Sequence, residues 1–166
     1  MTRKKTIQSG QAKVAAPPVN LATLYSGRSQ HAIDGSNRIM LPSEWRGEGT
    51  PTRFFVIVGD ADRYLMIYPP AVFESFLAGL RADTADKTEI PHLERELNDR
   101  VRQVSVDGFG RLPLPADFLA RAGIEQQGDL VGRFSKFEIW PRDKYPAAQA
   151  ERKPASATLS KMLKQQ

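Results

Sequence analysis

Two stretches of this chain repeat one another at a spacing of 73 residues: Asp34-Gly35-Ser36-Asn37-Arg38-Ile39-Met40-Leu41-Pro42 and Asp107-Gly108-Phe109-Gly110-Arg111-Leu112-Pro113-Leu114-Pro115. Each runs Asp, Gly, two residues, Arg, an apolar-rich stretch and Pro, with an aromatic three residues on, Trp45 or Phe118. A hydrophobic run, a polar turn and a second run ending in aromatic-Pro follow each copy, Tyr64-Leu65-Met66-Ile67-Tyr68-Pro69 and Phe137-Glu138-Ile139-Trp140-Pro141, with the register shifted by one. A chain that carries one small unit twice is constrained to a pseudo-twofold module, and anything functional is to be read twice.

Local patterns fill in each copy. Asp-Gly is a strong turn signal, because Gly accepts a positive φ and the Asp carboxylate can take backbone amides two residues on. A short strand from about Gln30 to Ile33 leads into the first turn, and Ile39 to Leu41 returns from it. After Pro42, Ser43-Glu44-Trp45-Arg46 suits one helical turn capped by Ser43, with Trp45 facing the core; Ala116 to Ala122 is a fuller helix stopped by Gly123. Hairpins follow, Phe54 to Val58 with Tyr64 to Tyr68, and Asp129 to Arg133 with Phe137 to Trp140. Asp60-Ala61-Asp62 in the first lacks the Gly and closing Glu of a calcium loop and reads as a turn.

Between the copies lies a helical insertion. Pro69-Pro70 opens a helix with Val72, Phe73, Phe76, Leu77 and Leu80 on one face, and a second helix is expected from about Pro91 to Gln103, with Leu93, Leu97 and Val101 at four-residue intervals and Arg100 and Arg102 toward its C-terminal end. The expected organisation is a disordered basic arm over 1–23, a first repeat over 24–70, the insertion over 71–103, a second repeat over 104–145 and a flexible basic tail over 146–166 with a short helix around Leu159 to Leu163.

The charge distribution limits how nucleic acid could be bound. The net +5 of the 166 residues resides in the ends: residues 1–23 carry +4, residues 142–166 another +4, and residues 24–141 sum to −3. The tails can supply unspecific phosphate attraction, while a specific site in the body must come from a few placed arginines. No apolar run approaches the ~18 residues of a spanning helix, no signal-peptide pattern is present, and a chain without cysteine fits a reducing compartment, so a cytoplasmic protein is expected. With two lone histidines, His31 and His92, and no thiolate, no metal or other cofactor is expected.

Taken together, the two strand–turn–strand–Pro–helix–hairpin units resemble the MraZ family, whose halves are similar to the swapped-hairpin DNA-binding units of AbrB-like regulators. The likeness is carried by Tyr25-Ser26-Gly27, by the Asp-x-x-x-Arg motifs at Asp34 to Arg38 and Asp107 to Arg111, by Pro42-Ser43-Glu44-Trp45-Arg46, and by the second hairpin from Leu130 to Trp140, about residues 24–145 in all. It implies an α+β fold, mainly β with helices: a duplicated swapped-hairpin, double-split β-barrel. It also implies a bacterial transcriptional repressor of the division and cell wall gene cluster, nucleoid-associated, assembling into rings that bind double-stranded DNA at short direct repeats in a promoter. Arg38 would be the principal DNA contact and Arg111 its counterpart, with Ser36 and Asn37 beside them; Asp34, Asp107, Gly35, Gly108 and Gly110 would brace the loops. Two positions depart from the family pattern: Ser36 and Asn37 stand where a basic residue and a Gly are common, and Ser26 replaces a basic residue. Both bear on the preferred DNA box rather than on the fold.

The arginine chemistry fits independently, since a guanidinium can hold a phosphate or pair bidentately with guanine O6 and N7. The alternative is that each Arg merely pairs with its own Asp and shapes the turn. Paired carboxylates of an aspartic-protease type are disfavoured, because Gly35 or Gly108 follows the Asp where a hydroxyl residue is needed, and an Arg four positions on would prevent proton sharing. A rival non-enzymatic role is an AbrB-like antitoxin whose C-terminal tail engages a protein partner.

Overall fold

The computed structural model describes residues 24–145 and 157–165; the expected N-terminal arm and most of the expected tail lie outside them. In chain order the first copy contributes β1 (Arg28–Ala32), β2 (Arg38–Met40), a 3-10 turn at Ser43–Trp45, β3 (Arg53–Val58) and β4 (Leu65–Tyr68). Helices α1 (Pro70–Asp83) and α2 (Ile90–Asn98) follow, then β5 (Val101–Ser105), β6 (Arg111–Pro113), α3 (Ala116–Ala122), β7 (Gln127–Gly132) and β8 (Phe137–Pro141), with α4 at Ala157–Leu163.

The strands form a six-stranded antiparallel sheet in the order β1-β7-β8-β4-β3-β5 and a separate two-stranded ribbon, β2-β6. Exchanging the copies turns that order into its own reverse, so the strand arrangement is pseudo-twofold. Each copy's first strand leaves its own hairpin and joins the other's: β1 pairs with β7, and β5 with β3. The pairs nearest the axis record the duplication. In the ribbon Ile39 faces Leu112, residues 73 apart; in the large sheet Met66 faces Glu138, residues 72 apart, the same shift of one that the sequence carries. The fold is α+β, as expected, but the sheets do not close into a barrel. Among the described residues β1 and β5 remain the two ends of the large sheet, and beyond its own pairing the ribbon has a single isolated bridge, Ile39 with Ile33.

Period-two alternation divides the large sheet's side chains between two cores. From β3, Phe54, Val56 and Val58 face the ribbon, joining Ile39, Leu41, Leu112 and Leu114 and an aromatic cluster of Tyr25, Trp45 and Phe137. Phe55 and Ile57 face the opposite way, onto α1, where Phe55 stacks on Phe73 at 4.2 Å and Val72 and Phe76 complete the contact.

Three local expectations are corrected. Residues 101–103 are not helical: α2 stops at Asn98, and Val101 begins β5, pairing with Ile57. The four-residue apolar spacing that suggests helix is overridden by the sheet edge, where Val101 packs against the α1 cluster and Val104 against the main core. Arg100 and Arg102 thus lie past the end of α2 rather than within it; Arg100 binds Asp62 at 3.1 Å and the Val58 carbonyl, and Arg102 lies over the Phe118 ring and donates back to the carbonyl of Asn98, the last residue of α2. Ser43 does not cap its turn, since Pro42 occupies the cap position without a side-chain bond. The Asp-Gly glycines, finally, do not hold the left-handed position. Helix α3, by contrast, ends as expected at Gly123, with φ 69°.

Candidate nucleic-acid interface

The two turns are built alike, bond for bond. In the first, the Asn37 N–H donates to the Asp34 carbonyl (3.0 Å) and the Asp34 N–H to the Arg38 carbonyl (2.9 Å). The Asp34 side chain then holds the loop from inside: Oδ1 accepts from the Ser36 and Arg38 amides, both at 2.9 Å, and Oδ2 from Arg38 Nε at 2.9 Å. In the second, Asp107 Oδ1 accepts from the Phe109 and Arg111 amides at 2.9 and 3.0 Å, and Oδ2 from Arg111 Nε at 2.8 Å. The left-handed residue is the fourth of each turn, Asn37 (φ 58°) and Gly110 (φ 82°). This is the three-residue hairpin loop with its left-handed residue last, rather than the two-residue Asp-Gly turn the sequence suggests. At Gly110 a Cβ would also run into the Arg46 side chain, whereas at Gly35 and Gly108 it would meet open space.

The ribbon brings the turns together. Arg38 faces Pro113 and Met40 faces Arg111 across β2-β6, so these four side chains share the outward face, while Ile39 and Leu112 on the other face are fully buried. The two arginines occupy diagonal positions, ~7–8 Å apart at the backbone. Leu114 N–H to the Asn37 carbonyl and Leu41 N–H to the Gly110 carbonyl tie each turn to the other copy's strand. Asp107 lies between the two guanidiniums, with Oδ2 also 3.7 Å from Arg38 Nη1.

Pairing through Nε does not exhaust the guanidinium. Both arginine side chains are about one-third exposed. Among the described residues, Nη2 of Arg38 and both terminal nitrogens of Arg111 make no hydrogen bond. Bracing and ligand contact are therefore compatible: the carboxylate fixes one edge of the fork and leaves the other facing outward. The Arg38 amide first, with the Ser36 amide and the guanidinium, holds the Asp34 carboxyl below the usual carboxylate range, and the corresponding groups of Arg111 and Phe109 do so for Asp107. Carboxylates so held serve poorly as proton-sharing acids.

Ser36 and Gly35 stand exposed at the tip of the first turn and Phe109 and Gly108 at the tip of the second. The sequence reading missed Phe109 and Arg46. Phe109 occupies the position of Ser36 one repeat on, so shifting the chosen residues by 73 would have found it. Arg46 Nη1 donates to the Phe109 carbonyl at 3.2 Å, a link across the copies that spacing alone does not reveal. Asp62, for its part, is a structural hub that accepts from Arg100 and Arg121. No cluster able to hold a metal occurs among the described residues, and none of their helices is long and apolar enough to cross a membrane.

Comparison with known proteins gives a consistent result. The model of a family described as "MraZ protein, putative antitoxin-like" matches residues 24–92 and 101–166, one segment per copy. The second segment opens at the first residue of β5 and runs past residue 145, farther than the motifs alone suggest. Proteins called transcriptional regulator MraZ are similar along most of their length. That of Symbiobacterium thermophilum is 32% identical over 119 residues, covering 72% of this chain and 85% of its own. That of Lachnoclostridium phytofermentans is 30% identical over 122 residues, 74% and 84%. That of Nitrosomonas eutropha is 28% identical over 124 residues, also 74% and 84%.

Proposed function

The chain belongs to the MraZ family, and on that premise we propose that it is a sequence-specific DNA-binding transcriptional regulator whose reading head is the outward face of the β2-β6 ribbon. The observation that carries this reading is the doubly built turn, in which an Asp grips Arg Nε and leaves Nη2 of Arg38 and both terminal nitrogens of Arg111 without a hydrogen bond on the outward face of the ribbon. A two-stranded ribbon fits the major groove, and a fork there pairs with guanine O6 and N7. A backbone separation of ~7–8 Å corresponds to about two base-pair steps at 3.4 Å each, so the two forks reach bases about two steps apart. Gly35 and Gly108 need neither a left-handed φ nor internal space; a surface kept free of side chains lets a DNA backbone approach.

Two arginines on a body of negative net charge bind weakly one subunit at a time. A ring of subunits presenting successive turns to direct repeats would gain the effective-concentration advantage, roughly 10²–10⁴ in avidity. We place the target in the promoter of the division and cell wall gene cluster, the action as repression, and the protein in the cytoplasm at the nucleoid. The relatives' name as regulators fits a non-enzymatic role.

The test is binding of wild type and Arg38→Ala to the protein's own upstream promoter DNA beside a shuffled duplex, by anisotropy at moderate salt. Arg38-dependent preference for the promoter is expected. Equal, salt-sensitive binding to both would refute the reading and favour a second one, a protein-interaction module working through its C-terminal tail. The observation behind that second reading is α4, which exposes Met162 and Leu163 at 62% and 68%.

A further inference from the structure

The second turn carries a group the first lacks. Phe109 stands where Ser36 stands and is 73% exposed, the most exposed of the large hydrophobic residues described. It is not loosely held: its N–H donates to Asp107 and its carbonyl accepts from Arg46. The Arg111 guanidinium lies over its ring at 4.9 Å, and the flanking residues, Gly108 and Gly110, have no side chains to shield it. An apolar ring held out into water on a braced backbone is unfavourable by itself, and it is accounted for if a ligand covers it.

We propose that Phe109 is a base-contacting residue that makes the two turns inequivalent: its ring packs on the C5-methyl group of a thymine adjacent to the guanine held by Arg111. The inference rests on the DNA-binding reading above. DNA is favoured over a protein partner because the ring shares its surface with a guanidinium whose terminal nitrogens are unengaged. The apolar patch is also small, one ring and the partly exposed Met40, against the ~800 Å² per side of a stable protein interface. Apolar contact with the thymine methyl is an established mode of major-groove readout for Phe. The consequence is directional. Twofold-related forks cannot tell one end of a box from the other, whereas a ring on one turn and a hydroxyl on the other give the head a polarity, which subunits in head-to-tail order need on direct repeats.

The experiment selects a preferred box from random duplexes with the wild-type protein, then replaces each thymine in turn with uracil, which pairs identically but lacks the methyl. Wild type, Phe109→Ser, which copies the first turn, and Phe109→Leu are titrated against the set. One thymine, next to a guanine whose replacement no longer matters in Arg111→Ala, is expected to lose about fourfold in wild-type affinity on conversion to uracil, the effect of one buried methyl. In Phe109→Ser that duplex and its parent should bind equally, while Phe109→Leu, still apolar, retains most of the penalty. Equal uracil sensitivity in wild type and Phe109→Ser overturns the proposal. So does a change of particle mass by light scattering in Phe109→Ser with thymine preference intact, which would assign the ring to a contact between copies. A wild type that selects no box fails the regulator reading and this proposal together; a selected box without a uracil effect fails this proposal alone.

Discussion

Replacing Gly110 by Ala tests which glycine the turns depend on. At φ 82° an alanine is placed in the left-handed region, a cost of ~1–2 kcal/mol. Its Cβ also displaces the Arg46 side chain, with loss of the exposed bond from Arg46 Nη1 to the Phe109 carbonyl, a further ~0.5–1 kcal/mol. The sum, about 1.5–3 kcal/mol, lowers the melting temperature of a chain this size by about 3–12 °C. Gly108→Ala meets no atom and no left-handed φ, and should be neutral or stabilise by up to ~1 kcal/mol through the unfolded chain. Thermal melts at one fixed protein concentration compare Gly108→Ala, Gly110→Ala, Arg46→Ala and the double variant. In the Arg46→Ala background the Gly110→Ala penalty should fall to its conformational part, since the steric conflict is gone. Equal penalties at Gly108 and Gly110, or a Gly110 penalty indifferent to Arg46, would refute the geometry from which these magnitudes are drawn.

Asp107→Asn should lower the ratio of specific to unspecific DNA affinity more than Asp34→Asn, because Asp107 lies beside both arginines and Asp34 binds only Arg38. Both carboxyls titrate below their ordinary value, so the stability they contribute is fully present above the unfolded value of about 3.9 and is lost as pH falls through the lower folded one. The difference in melting temperature between wild type and Asp107→Asn should accordingly stay constant from pH 8 to about 5 and shrink in stronger acid; a difference that vanishes by pH 6 would contradict this. Trp45→Ala empties a buried position against Tyr25 and Phe137 and should cost roughly 3–5 kcal/mol by denaturant titration.

Much of this architecture was legible in the residues, and the failures have identifiable physical causes. The 73-residue spacing locates both turns, both ribbon strands and the aromatic that follows each. It also predicts β5, since Arg28–Ala32 shifted by 73 is Val101–Ser105; a local helical period in Leu93, Leu97 and Val101 hid this, because pairing with β3 is a tertiary effect that local spacing does not register. Asp-Gly misleads for a similar reason: the loop length, not the Gly, decides where the left-handed residue falls, and Asn37 and Gly110 hold it. That Arg38 and Arg111 share one face requires the β2-β6 pairing. Periodicity names the candidates for such a pairing but cannot select the partner.

The exchange of first strands between the copies also governs how the chain can fold as it is made. Arg28 finds Asp129, a partner 101 residues later, and among the described strands β1 pairs with β7 alone. At a synthesis rate of ~5–20 residues per second, the first copy waits roughly 5–20 s with β1 unpaired while α1, α2 and the second copy emerge. Neither copy can complete its sheet alone, so folding should be a single late, non-local event, slow for a chain of this length. During that wait β1 can take the edge of β3 that β5 holds in the finished sheet, since β1 and β5 occupy equivalent places in the two copies, and the helical insertion delays the arrival of β5.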